Sequence, residues 1–344
     1  MRKVYLDNLT ENKKATLLIG KDLILATKPY ASENRAKSWL YAGSTFALLA
    51  LSLFGTWFSN YFLLKLFCSV AAGLLSSRMF VIYHDYLHHA ILNKSFLAKI
   101  IMTIFGIYTL APTSIWKRSH DYHHKHNSKL YSASIGSYPI MTKKKFLAMT
   151  AGQRRGYLAT RSPLTILLGY FSMFFIGMCY NSFKASPKKH IDSLIAMVVH
   201  VAATIVVFWF GGWQAWVLTI FIPFFIPGCL GAYLFYAQHN FPTASFAENK
   251  DWSYETAAMQ SSSFLVMSPF MNWVTANIGY HHIHHLNSRV PFYRLPEVME
   301  AIPQLQKAKT TTLGFKDVIA CMKLKVWDPE RDRLISLKEL HEAA

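Results

Sequence analysis

An all-α integral membrane fold is predicted for this chain. It would have four transmembrane helices in two hairpins, further interfacial or re-entrant helices, and a cytosolic helical cap carrying histidine clusters. Three observations predict it. The 344 residues are 52% hydrophobic with a positive mean hydropathy, a high value for a soluble chain rich in lysine and arginine. Four apolar stretches are each about 20 residues long, the length a helix needs to cross bilayer hydrocarbon. Eleven of the 15 histidines sit beside those stretches in three clusters, HDYLHH at 84 to 89, HDYHHKH at 120 to 126 and HHIHH at 281 to 285.

The first two predicted spans, 38 to 58 and 61 to 83, are joined by Ser59 and Asn60 alone, and the second two, 193 to 213 and 215 to 238, meet around Gly211, Gly212, Trp213 and Gln214. Both connections are short and uncharged. Basic residues crowd the other side: Arg2, Lys3, Lys13, Lys14, Lys21, Lys28, Arg35 and Lys37 before the first span, and Lys143, Lys144, Lys145, Arg154 and Arg155 in the middle. By the positive-inside rule both termini and the middle region face the cytosol, of a bacterial inner membrane or of the endoplasmic reticulum. The N-terminus lacks a signal peptide's apolar core and cleavage site, so internal segments are expected to drive insertion. A single domain is expected over 1–344. It divides into a cytosolic segment (1–37), a first hairpin (38–83), a cytosolic or interfacial region with two clusters (84–192), a second hairpin (193–238) and a cytosolic region with the third cluster (239–344).

Two shorter apolar runs, 96 to 112 and 163 to 180, are decided by parity. If either crossed the membrane, the histidine clusters would end on opposite sides and could not share a centre. The first is therefore expected to be re-entrant or interfacial, with Pro112 interrupting it, and the second to lie flat on the cytosolic face. Six crossings are the competing reading, and would make the clustering meaningless.

His84 and His88, His120 and His124, and His281 and His285 are each four residues apart, so each pair shares one helix face. One such pair is commonly a surface accident. Three in one chain point to metal, and an imidazole set suits iron, copper or zinc. Cys68, Cys179, Cys229 and Cys321 are scattered without pairing and read as core or lipid-facing residues. About nine well-spaced histidines are too many for one tetrahedral ion and suit two five- or six-coordinate ions, and the lack of cysteine favours iron. The ExxH pairs of soluble di-iron bundles are missing here. The span at 61 to 83 feeds directly into His84, placing His84 and His88 within two turns of the hydrocarbon. The span at 215 to 238 brings His239 to the same depth, as either a helix-end cap or a ligand. His190, His200 and His341 have no partner at ligand spacing, and His89, His126 and His282 fall off the paired positions. A neutral shell leaves the metal's charge uncompensated, so Asp85 and Asp121 are candidates to accept a ligand's second ring N–H, with local capping as the alternative. Asn240 and Asn277 flank two clusters and are candidates to hold a metal-bound water or orient a ligand.

In these words the chain resembles the membrane fatty acid desaturases. The family's HxxxH, HxxHH and HxxHH boxes correspond here to His84 and His88, to His120, His123 and His124, and to His281, His284 and His285. KRSHDYHHKHN, QHNF and NIGYHHIHHLNSRVPFYRLPE match closely as well. The resemblance runs from about residue 30 to 330 and is of the acyl-lipid, omega-6 (delta-12) kind. It implies two non-haem irons on the cytosolic face held by these boxes, with His239 as an additional ligand. It also implies dioxygen as co-substrate and conversion of CH2–CH2 to a cis double bond in the acyl chain of a membrane lipid or acyl thioester. No GxGxxG fingerprint, iron–sulfur cysteine cluster or HPGG haem motif is present, so an external ferredoxin or cytochrome b5 donor is expected. The basic face suits an acidic carrier and anionic lipid. It does not suit nucleic acid, since the basic residues flank apolar runs instead of lining a groove. Hydroxylation or carotenoid oxidation on the same scaffold is the alternative. From another class, a metal transporter would need acids or histidines at mid-membrane, and the four spans hold no Asp or Glu and only His200.

Overall fold

Apolar runs without internal breakers become long helices that satisfy their own backbone hydrogen bonds. The protein was described from a computed structural model covering residues 18–342 except 133, 137 and 249. The basic residues Arg2, Lys3, Lys13 and Lys14 lie outside the described residues. Among the described residues, three helices are long and apolar enough to cross a membrane, or four if one bent pair counts as a span. The first is α1, Arg35–Phe58, capped by the Asn34 side chain, which accepts from the Lys37 N–H at 3.0 Å. The second is α2, Phe62–Leu87. It outruns the apolar stretch and carries His84 on the same rigid rod. Helix α3, Phe96–Tyr108, and helix α4, Thr113–Lys125, meet at a 91° bend. Leu110 takes a left-handed φ of 57° in this bend. Pro112 stands at the start of α4, where its missing N–H costs nothing.

The third long element is α5, Ile191–Trp216, continuing through a π-helical Val217–Phe221 into α6, Ile222–Ala237. It is not one rod. Gly212 has φ 72° and ψ −173°, a conformation open to glycine, and the ring centroids of His200 and Phe224 lie 4.6 Å apart. Twenty-four residues of straight helix would separate them by about 36 Å. The chain therefore reverses at Gly212, which brings His200 of α5 against Phe224 of α6.

Helix α2 is central, packed against both α1 and α6. Its contact with α6 is close because Gly73 lacks a side chain: a Cβ there would come within 2.9 Å of Ile226. The run at 163 to 180 forms Pro163–Leu167 and a π-helical Tyr170–Tyr180. Its inner residues Tyr170, Phe174, Met178 and Cys179 are buried against α5 and α6. A Cβ on Gly228 of α6 would sit 2.6 Å from the Tyr170 nitrogen, so this seam also depends on glycine. Outward faces remain apolar and exposed, with Phe58, Leu63, Phe67, Ile205, Trp209 and Phe210 among them, as a lipid-facing surface requires.

Two features depart from an all-α fold. Phe264–Val266 (β1) pairs in parallel with Thr310–Thr312 (β2), and Leu324–Asp328 (β3) pairs antiparallel with Arg333–Ser336 (β4). The β3–β4 hairpin follows from short runs of β-branched and aromatic residues around the turn at Pro329–Asp332. The β1–β2 pairing joins segments 46 residues apart and has no local signal. Two buried arginines are also structural. Arg78 on α2 donates to Thr45 Oγ1 at 3.1 Å and to the Trp273 carbonyl, with its guanidinium over the Trp273 ring. Arg161 donates to Asn240 Oδ1 and to the Pro139 carbonyl, between the rings of Tyr157 and Tyr236.

Candidate metal centre

A helix turns 100° per residue, so the members of an HxxHH box do not all point one way. Positions i and i+4 differ by 40°, whereas i+3 lies 60° to the other side of i. The structure uses this split. His84 and His88 from α2, His120 and His124 from α4, and His284 gather as one group, and His123, His239, His281 and His285 gather as a second. The last two boxes therefore exchange members. Helix α4 gives its i,i+4 pair to the five-histidine group and its i+3 residue to the other. Helix α7, His281–Leu286, gives His281 and His285 to the four-histidine group and His284 to the five. All nine histidines singled out from the sequence are in these groups and all are buried.

In each group the ring nitrogens approach one another. His84 Nε2 lies 2.8 Å from His120 Nε2 and 3.1 Å from His88 Nε2, and His124 Nε2 lies 3.2 Å from His120 Nε2 and 3.1 Å from His284 Nε2. In the second group, His281 Nε2 is 3.0 Å from both His239 Nε2 and His285 Nε2, and His285 Nε2 is 3.1 Å from His123 Nε2. A neutral imidazole has one donor and one acceptor, so a ring of Nε2 atoms all turned inward cannot satisfy itself. Around a metal the same separations are natural. Metal–nitrogen bonds of about 2.1 Å at right angles put neighbouring donors about 3.0 Å apart. Each group could hold a metal ion.

The outer nitrogens show how the rings are held. His84 Nδ1 lies 3.2 Å from Asp85 Oδ1, His120 Nδ1 lies 3.4 Å from the Ile135 carbonyl, and His239 Nδ1 lies 3.1 Å from the Ser261 carbonyl. The Nδ1 atoms of His123, His124, His281, His284 and His285 have no hydrogen-bond partner among the described residues. Burial holds His239 down to about 4, the Ser261 carbonyl partly offsetting it. Burial and neighbouring imidazoles hold His281, His284 and His285 well below the usual histidine range. These rings are neutral at physiological pH, the form that binds metal.

Of the four polar candidates, Asp85 reaches a ring and the others do not. Asp85 is 1% exposed; its second oxygen accepts from the Phe292 N–H at 2.7 Å, and the Phe292 carbonyl accepts from Asn277 Nδ2 at 3.1 Å. Asn277 thus braces the strap that holds Asp85. Asp121 pairs with Lys117 at 3.0 Å on α4. Asn240 donates to the Cys321 carbonyl at 2.9 Å and accepts from Arg161, anchoring the cap.

The remaining histidines stand apart from both groups. His126 contacts the Tyr122 carbonyl, His190 contacts Ser114 Oγ at 2.8 Å, His200 pairs with Tyr170, and His282 is buried near Phe264. Three contributors carried no sequence signal. Trp116 stacks on His120 at 4.8 Å. Gln238 donates to the Ile278 carbonyl at 2.9 Å, tying α6 to the third cluster. Gly136, at φ 106°, lies so close over His123 and His120 that a Cβ would meet them at 2.9 and 3.0 Å. Only a positive-φ glycine fits there.

An apolar cavity of about 900 Å³, open mouth included, ends on both groups. His84 and His120 of the first and His123 and His281 of the second stand at one end, and Phe80, Tyr170, Phe174, Phe224 and Phe235 line its walls. Along α6 it extends from Gln238 to Pro223, about 22 Å of helix.

Comparison with known proteins bears on this arrangement. Residues 60–314 match the family model described as fatty acid desaturase. A Bacillus subtilis (strain 168) protein named fatty acid desaturase is 30% identical over 330 residues, covering 93% of this chain and 91% of that protein. An sn-1 oleoyl-lipid 12-desaturase of Anabaena variabilis is 22% identical, covering 80% and 79%. An oleoyl-12-hydroxylase of Ricinus communis is 26% identical, covering 67% and 63%.

Proposed function

The chain belongs to the fatty acid desaturase family, and from that premise we propose that it inserts a cis double bond into the acyl chain of a membrane lipid or acyl thioester, using two non-haem irons and dioxygen. The observation that carries this reading is the apolar cavity ending on both histidine groups. His84, His88, His120, His124 and His284 would hold one iron and His123, His239, His281 and His285 the other. Bound there, the irons supply the dioxygen activation needed to break an unactivated C–H bond.

What the protein itself contributes is placement. The aromatic walls hold a saturated chain by burial of its methylenes, about 0.8 kcal/mol each, and exclude water from the reacting carbons. Depth in the cavity then selects which CH2–CH2 lies beside the histidines. Asp85 fixes the tautomer of His84, and the Ser261 carbonyl does the same for His239 by accepting its Nδ1 proton.

Four crossings in two hairpins, α1 with α2 and α5 with α6, would put both termini and every ligand on the cytosolic side. The α3–α4 bend lets the second cluster return to that side without a crossing. Reduction equivalents would come from a separate one-electron protein carrier. Hydroxylation of the same methylene is the second reading, favoured by the similarity to a hydroxylase. The test is the fatty acid profile of a host expressing the chain, with double-bond positions mapped. New alkenes are expected; hydroxy acids without new alkenes would overturn desaturation.

A further inference from the structure

Electrons must reach a centre that the membrane helices and cap enclose, and one bonded route leads in. A second pocket, about 500 Å³ with its open mouth included and walled by Ser245, Trp252, Thr256, Gln260 and Ser261, opens on the cap. The half-buried Trp252 donates its indole N–H to the Asn127 carbonyl at 2.8 Å. The Asn127 amide donates to Ser262 Oγ at 2.9 Å, and that hydroxyl lies 3.5 Å from Nδ1 of His239. Asn127 is 1% exposed and Ser262 is fully buried. The pocket reaches the same ring a second way, because the Ser261 carbonyl at its wall contacts His239 Nδ1 at 3.1 Å. Lys129 places its ammonium 4.4 Å from the Trp252 ring centre, a cation–π contact that holds the indole in place.

We propose that electrons enter through Trp252 and reach His239 along the Asn127–Ser262 path, so that the four-histidine group is reduced first. This rests on the desaturase reading. In each turnover the acyl CH2–CH2 gives up two hydrogens with two electrons, and dioxygen takes four electrons and four protons to become two waters. The missing two electrons arrive singly from a reduced iron–sulfur or haem carrier, with two protons from solvent. Charge does not single out this face, since Asp332 lines the same pocket and lies near Lys309. The bonded path carries the inference.

The test compares Trp252→Ala and Trp252→Phe with the iron-loaded wild type, using reduced ferredoxin as donor in stopped flow and dithionite as a donor that bypasses docking. Carrier-driven reduction should slow at least about tenfold in Trp252→Ala and by less in Trp252→Phe, which keeps the ring but loses the N–H. Dithionite-driven reduction should be unchanged, as should ferredoxin binding to the iron-free protein measured by anisotropy. Wild-type carrier rates in both variants overturn the proposal. So does equal slowing with dithionite, which marks damage at His239, and so does weakened binding with normal transfer at saturation, which makes Trp252 a docking residue. In those three cases dithionite-driven double-bond formation by the wild type leaves the desaturase reading standing. No oxygen-dependent product from the wild type with either donor defeats both.

Discussion

The five-histidine group and the four-histidine group are built from the same residue type but on different foundations. Four of the five members of the first sit on or at the end of α2 and α4, and α2 is a 26-residue rod packed on both sides. The second takes His123 from α4 but draws its other three members from just past the end of α6 and from the six-residue α7. The first group is therefore braced by α2 and the second by cap contacts such as Gln238 to Ile278 and Asn240 to Cys321. The lesson is that preorganisation here has two sources, long-helix packing for one group and a hydrogen-bonded cap for the other.

The strongest way to break this comparison is to remove one ligand from each group. His120→Ala and His281→Ala should each abolish product formation, and iron analysis should show each losing about one of two irons. Loss of both irons from either single variant would mean the groups are one site. His123→Ala and His284→Ala sharpen the point: each takes a ligand from the group opposite its own helix, so iron should be lost from that opposite group.

Asp85→Asn comes next. It preserves shape but puts an amide where the two carboxyl oxygens hold the His84 ring and the Phe292 N–H, and iron affinity or activity should fall by about 10- to 100-fold, with the loss confined to the five-histidine group in spectra of the two sites. A smaller effect concerns the cap. Burial, with Arg161 beside it, depresses Lys325 to about 8. The unfolded chain keeps that proton up to the ordinary lysine pKa of about 10.4, so Lys325 opposes folding below pH 8 and the opposition is relieved as pH rises from 8 toward 10. Lys325→Met should flatten the pH dependence of thermal unfolding in that window and leave the neutral-pH iron content unchanged. The smallest effect is expected at Asp121→Asn, an exposed i,i+4 pair with Lys117, where stability should shift by no more than about 0.5 kcal/mol and activity not at all.

Much of this was legible in the residues. The spacing of His84, His120 and His281 to their partners four residues on put each pair on one helix face, and parity brought His239 beside them. Apolar run length located the long helices, and Pro112 marked the bend between α3 and α4. What could not be read was tertiary. Asp85 and Asp121 each follow the first histidine of a cluster, yet only Asp85 meets a ring, because Phe292 arrives from 207 residues away to hold it. Asn240 looked like a site residue until Arg161 and Cys321 claimed its side chain. The β1–β2 pairing and the buried guanidinium of Arg78 likewise depend on partners far along the chain, and no local pattern announces them.

The exchange of His123 and His284 between the groups has a mechanical consequence. Each of α4 and α7 carries members of both groups, so the separation of those members along the helix is set by helix pitch. A rigid twist of either helix carries its members of both groups around the axis in the same sense. The two groups thus share two helices: displacing either helix disturbs both groups, whereas removing a single side chain leaves the other group's members in place.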